Sequence, residues 1–192
     1  MKVLVLFSSP NKKGNTFKLL EKFLEGLNEE VDFIDIYSKK IAPCIDCKMC
    51  YKVEECAIKD DMTDLYKKIN ESDIIVIATP IYFANVPSPL KALIDRLQVY
   101  WSKKYIRKDR KNIKKKTGVL LAIGGTYWDN MFMSLEEVLK LAFAAIDVKD
   151  TYKVYGVNTD HIPIEKNEEV MKKAYELGCG LKNKFDFNKS RI

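Results

Sequence analysis

The sequence predicts an α/β fold in which a parallel β-sheet is wound with helices on both faces. Strand-like and helix-like segments alternate through the 192 residues. Residues 2–7 and 73–78 are nearly continuous runs of apolar and β-branched side chains, the pattern of strands buried on both faces. Between these runs apolar residues recur at helical spacing, so the connections are read as helices covering the sheet.

Each element has its own signal. After strand 2–7, a polar loop leads into a helix with Phe17, Leu20, Phe23, Leu24 and Leu27 on one face. Residues 31–36 read as the second strand and 41–59 as an irregular, cysteine-rich segment. Asp61 or Thr63 is placed to cap a short helix bearing Leu65, Tyr66 and Ile69. After strand 73–78, Ser88 and Pro89 supply an N-cap and a first-turn proline for a helix carrying Leu90, Leu93, Ile94 and Leu97. A basic loop follows. Residues 118–123 form the fourth strand, closed by Gly124 and Gly125, and Ser134 with Glu137 matches a capping box. Residues 152–157 read as a fifth, edge strand. A helix over 166–184 then presents Val170, Ala174, Leu177 and Leu181. No repeat or low-complexity linker divides the chain, so residues 1–192 are expected to form a single domain.

Composition narrows the function classes. Hydrophobic residues make up 47% and charged residues 31%, as in a soluble globular protein. No apolar run approaches the roughly 20 residues of a membrane span, so a cytoplasmic protein is expected, without membrane partners. The net charge of +6 is local: residues 103–116 hold nine Lys or Arg against one Asp, a balance of +8, which leaves −2 for the rest. Nucleic-acid binding is not expected from so confined a patch. It is either a solvated loop or a docking surface for an acidic redox partner or a phosphorylated cofactor.

The most informative feature is the spacing of Cys44, Cys47, Cys50 and Cys56, which is C-x2-C-x2-C-x5-C. Three thiolates at three-residue intervals can converge on one centre, and bacterial ferredoxins use the same core for iron–sulfur clusters. Zinc sites usually pair two C-x2-C units over a longer spacer. From spacing alone an iron–sulfur cluster, a zinc ion and metal-free thiols all stay open. A reducing compartment disfavours structural disulfides. Cys179, in the last helix, reads as a core or half-buried residue, and the single histidine, His161, as a loop residue.

In a parallel sheet of this kind ligands bind at the carboxyl ends of the strands. Three loops there carry suitable chemistry. The first contains Ser8, Ser9, Pro10, Asn15 and Thr16 at a helix start, an anion site. It is neither G-x-G-x-x-G nor G-x4-G-K-[ST], so a single phosphate monoester fits it better than a dinucleotide or a hydrolysed triphosphate. The second contains Pro80, Ile81, Tyr82, Phe83 and Ala84, where aromatics and backbone N–H groups could flank a flat ring. The third, Gly124 and Gly125, allows close approach of backbone to a ligand.

These motifs together resemble the NAD(P)H-dependent FMN reductase superfamily of flavodoxin-like proteins, and with the four cysteines its iron–sulfur flavoprotein branch. The matching residues are Ser8-Ser9-Pro10 with Gly14-Asn15-Thr16, the cysteines followed by Ile58-Lys59-Asp60-Asp61-Met62, Thr79-Pro80-Ile81-Tyr82-Phe83, Pro89-Leu90-Lys91 with Asp95-Arg96, and Gly124-Gly125. They lie within residues 1–126. The resemblance implies a flavodoxin-like doubly wound sheet of strand order 2-1-3-4-5 and non-covalent FMN with its phosphate in the first loop. It further implies a [4Fe–4S] cluster on Cys44, Cys47, Cys50 and Cys56 beside the flavin, NAD(P)H or a ferredoxin-like donor, and a homodimer or homotetramer. A cluster-free FMN or quinone reductase and a flavodoxin-type carrier are the alternatives. No side chains are arranged as a catalytic acid–base pair.

Overall fold

The structure is a computed structural model and describes residues 1–109, 111 and 114–189. Its elements run β1 (Val3–Phe7), α1 (Asn15–Leu27), β2 (Val31–Asp35), α2 (Met49–Lys52), α3 (Met62–Glu71), β3 (Ile74–Pro80), α4 (Ser88–Arg96), α5 (Gln98–Tyr105), β4 (Lys116–Ile123), α6 (Met133–Ala145), β5 (Val148–Gly156) and α7 (Glu168–Lys189). The five strands form one sheet, ordered β2-β1-β3-β4-β5, with every neighbouring pair parallel. This is the expected flavodoxin-like topology.

The period of two along each strand sorts the core into two layers. Leu4, Leu6, Ile75, Ile77, Leu120 and Ala122 face α3, α4 and α6, which answer with Leu65, Ile69, Leu90, Leu93, Leu135 and Leu139. Val3, Val5, Phe7, Ile74, Val76, Ala78, Val119 and Leu121 face α1 and α7, which answer with Leu19, Leu20, Phe23, Leu27, Ala174 and Leu181. Two glycines set the α1–α7 contact. A Cβ on Gly26 would lie 2.1 Å from the Tyr175 carbonyl oxygen, and one on Gly178 would lie 2.3 Å from that of Phe23. Gly178 therefore serves the crossing of α1 and α7.

Several local expectations are corrected. β4 begins at Lys116 and β5 at Val148, both earlier than the apolar runs suggest: β4 opens on a lysine and a threonine that are buried, and β5 is an edge strand whose first residues are largely exposed. The basic stretch is not one loop: Lys103 and Lys104 belong to α5, and Lys116 is a buried strand residue. Arg110 of that stretch, with Asn112 and Ile113, lies outside the described residues. Cys50 sits in α2, so the cysteine segment is not wholly irregular. Helix α6 begins at Met133 with Phe132 as its N-cap and no side-chain cap, so Ser134 and Glu137 form no capping box. Ser88 is already helical, after an N-cap at Pro87. Asp61 is the N-cap of α3, but the capping N–H bond, from Met62, is accepted by Asp60 Oδ1. No helix among the described residues is long and apolar enough to cross a membrane.

Candidate active site

The three loops at the carboxyl ends of β1, β3 and β4 enclose a cleft of about 620 Å³, within the range of small-molecule sites. Ser9, Asn15, Thr16, Pro80, Ile81, Tyr82, Phe83 and Gly125 border it; Ser8, Pro10, Ala84 and Gly124 do not. Ser8 is fully buried behind the wall, and its hydroxyl has no partner. Asn15 is committed to the fold. Its Nδ2 donates to the Thr159 carbonyl at 3.3 Å, and its Oδ1 accepts from Ile164 N–H at 3.0 Å. That bridge also brings Thr159 and Asp160 to the cleft, residues that sequence reading missed because they lie far from the loops in sequence.

Helix α1 opens with Gly14 as N-cap, no side-chain cap and no acidic residue in its first turn. The free N–H groups of that turn, with Ser9 and Thr16 beside them, leave an anion-binding corner. The second loop is a tight turn. Tyr82 and Asn85 exchange N–H···O bonds at 2.8 and 3.0 Å, and Phe83 and Ala84 both have positive φ, 48° and 60°. Such a conformation is uncommon for residues other than glycine, and it leaves the Phe83 ring fully exposed. Gly124 and Gly125 serve different ends. A Cβ on Gly124 would meet Met131 Cε at 2.3 Å, whereas one on Gly125 would meet the Asp160 carboxylate at 2.4 Å. Trp128 and Ile123 complete the apolar side. An anion corner joined to a slot of aromatic and aliphatic groups suits a phosphorylated flat ring, and so fits FMN.

The four cysteines line a second hollow, with Arg96, Gln98 and Val99 on its floor side. No residue borders both hollows. Cys44 and Cys47 are exposed, Cys50 and Cys56 half-buried, and all are free thiols. The space between them is only about 20 Å³, and among the described residues no three His, Cys, Asp or Glu side chains converge on a metal-sized point. The donor set, four thiols on one hollow, fits a thiolate-ligated cluster. Two of the donors lie on an exposed segment, Ala42 to Met49.

Arginines hold this segment. Arg107, which the sequence places in the basic stretch read as a solvated loop or a docking surface, donates to the carbonyls of Cys50 and Val53. Cys50 Sγ lies 3.3 Å from the buried Ser102 hydroxyl. Arg96 is buried, and its two terminal nitrogens reach the Ala42 and Ile58 carbonyls and both oxygens of Asp60 at 2.9–3.2 Å. Asp60 is partly desolvated, which opposes ionisation. The Arg96 bonds and the Ala42 and Met62 amides outweigh this and hold its carboxyl below the usual carboxylate range. The sequence pattern places Arg96 in a family motif but gives it no task.

The profile of the NADPH-dependent FMN reductase family matches residues 1–159. The chain belongs to that family. The match extends past the motifs within 1–126 to the Thr159 corner. Among curated relatives, an iron-sulfur flavoprotein of Archaeoglobus fulgidus is 33% identical over 191 residues, covering 97% of this chain and 81% of that one. An iron-sulfur flavoprotein of Methanosarcina thermophila is 35% identical over 129 residues, covering 66% and 64%. Among solved structures, an NAD(P)H:quinone oxidoreductase from Methanothermobacter marburgensis superposes with a TM-score of 0.74 at 21% identity, covering 95% of this chain and 96% of that one, a likeness of fold. The protein is a flavin oxidoreductase of the FMN reductase family.

Proposed function

We propose that the chain is an FMN oxidoreductase whose Cys44, Cys47, Cys50 and Cys56 hold a [4Fe–4S] cluster, with NAD(P)H or a ferredoxin-like carrier as electron donor. The observation that carries the flavin reading is the 620 Å³ cleft, with its uncapped α1 at one end and its aromatic turn at the other. The chemistry gained on loading is hydride acceptance by the flavin and single-electron transfer by the cluster. The chain's own residues bind and orient. Ser9, Thr16 and the first turn of α1 receive a phosphate. Pro80, Ile81, Tyr82, Phe83 and Gly125 shape the ring slot, and Trp128 shields it from water.

The two hollows are separate in one chain, and exposed apolar side chains surround both. Ile45, Met49, Trp101 and Tyr105 lie near the cysteines, and Phe83, Tyr127 and Trp128 near the cleft. This supports a homodimer or homotetramer in which a partner copy covers them. The basic stretch is partly spent within the chain: Lys104 pairs with Asp147 at 2.6 Å and Lys114 with Asp73 at 2.7 Å. The closed space at the cysteines favours a second reading, a cluster-free flavin reductase.

Titration of the purified protein with FMN and with FAD tests the cleft, followed by anaerobic assay with NADH, NADPH and reduced ferredoxin. Tight FMN binding in preference to FAD, and flavin reduction by one of the donors, is expected. Preference for FAD, or no binding, rejects the flavin reading.

A further inference from the structure

We propose that Arg96 is a positioning residue for the cysteine segment. It is a buried clasp that ties the segment's two ends to α4 and so holds the four thiols around one hollow before any metal arrives. The inference deepens the cluster reading and rests on it for its purpose, though not for its geometry.

The Ala42 and Ile58 carbonyls bracket all four cysteines in sequence, and one guanidinium takes both, Nη1 to Ala42 at 2.9 Å and Nη2 to Ile58 at 3.0 Å. Asp60 closes the arrangement. Its Oδ2 accepts from Arg96 Nη1 and from the Ala42 N–H, each at 2.9 Å. Its Oδ1 accepts from Arg96 Nη2 and from Met62 N–H. The Arg96 bonds therefore join the start of the segment and its end to α4, and Asp60 ties both to the first turn of α3. The planar fork of arginine can do this with fixed geometry; a lysine ammonium cannot.

The side chain of Arg96 has no solvent exposure and that of Asp60 retains 13%. Water competes little with the Arg96 bonds, unlike the exposed bonds from the Lys40 and Ala42 N–H groups to Asp61 and Asp60. The arginine is itself braced. Tyr66 Oη donates to the Arg96 carbonyl and Tyr100 Oη to the Tyr66 carbonyl, each at 2.9 Å. Arg96 also borders the cysteine hollow, and its Nε–H is buried without a partner. A buried charge costs stability unless it is paired and hydrogen-bonded, as the two terminal nitrogens are here. Nothing at the flavin cleft uses it. The cysteine segment, exposed from Ala42 to Met49, has little packing of its own to fix its ends.

The test uses the full-length, metal-free, reduced protein with Arg96→Lys, Arg96→Met and Asp60→Asn. The last keeps α4 intact but turns one acceptor of the carboxylate into a donor facing donors. Amide hydrogen exchange and cysteine alkylation are read by mass spectrometry. Anaerobic loading with iron and sulfide is followed by metal content and visible spectrum, and FMN affinity serves as the folding control. Because losing charge-assisted hydrogen bonds releases the segment, exchange across residues 42–60 and alkylation of Cys44–Cys56 should rise about tenfold or more. Arg96→Lys should fail to restore them, cluster loading should drop, and FMN affinity should stay within about twofold. If Arg96→Met does not fold, Arg96→Lys and Asp60→Asn carry the same comparison. Unchanged exchange and alkylation in the variants that bind FMN would overturn the proposal. So would full rescue by lysine. Failure of the unsubstituted protein to take up iron would instead reject the cluster reading, leaving the exchange result to decide the clasp.

Discussion

The walls of the flavin-sized cleft descend from β1, β3 and β4, whose residues are buried and paired on both sides. The cysteine segment runs exposed from Ala42 to Met49, and is held by Arg96 at its ends and by Arg107 near its middle. Shape in the first region follows from the sheet. In the second it follows from a few charged hydrogen bonds. The difference teaches that damage to the core should reach the cleft first, and that loss of single polar contacts should reach the cysteines first.

The largest expected effect strikes the core side. Gly178→Ala drives a methyl group onto the α1 backbone, 2.3 Å from the Phe23 oxygen and 2.5 Å from the Leu27 nitrogen. Overpacking of this kind costs about 1–3 kcal/mol. Because α1 carries the anion corner, FMN affinity should fall with stability while cysteine alkylation stays unchanged. Gly180→Ala is the control. Nothing lies within 4 Å of its added Cβ, so stability should rise by about 0.5–1 kcal/mol. Denaturant melts with FMN titrations read both. Equal effects of the two substitutions would break the comparison.

A smaller effect separates two hydroxyls in the first loop. Thr16 borders the cleft, and Ser8 lies behind it unpartnered. Thr16→Val should weaken FMN binding about ten- to a hundredfold, the value of one hydrogen bond to a charged group. Ser8→Ala removes a buried unsatisfied group, so it should leave affinity within about threefold and stability equal or higher. A larger loss of affinity from Ser8→Ala would place the phosphate elsewhere.

The smallest effect is in acid. Asp60 titrates below its ordinary value of 3.8, so it contributes stability that is fully present above that pH and is lost as pH falls further through the folded value. Arg96 stays protonated throughout. Denaturation measured across this range should show an acid limb below pH 3.8, which Asp60→Asn flattens. An identical limb in that variant would assign it to other carboxylates.

Much of this was legible in the sequence, where one physical signal dominated. Residues 2–7 and 73–78 read as buried strands because both faces are apolar, and the cysteine spacing announced itself. The start of β5 was hidden because Lys149, Asp150 and Thr151 are exposed edge residues. Helix α5 was hidden by lysines that look like loop. Asn15 reads as an anion ligand, and the loop sequence gives no sign that its side chain also bonds Thr159 and Ile164. Arg96 was the hardest to read. Arginine in a helix is usually a surface residue, and only tertiary structure shows it buried under the segment it holds.

The most direct measurement is iron, acid-labile sulfide, zinc and FMN per chain after anaerobic reconstitution, with Cys50→Ala as control. About four irons and four sulfides with one FMN are expected, the composition of a [4Fe–4S] flavoprotein, with the iron lost in the control. Fewer than about one iron per chain, or zinc in its place, would contradict the cluster and leave a flavin reductase with metal-free or zinc-bound thiols.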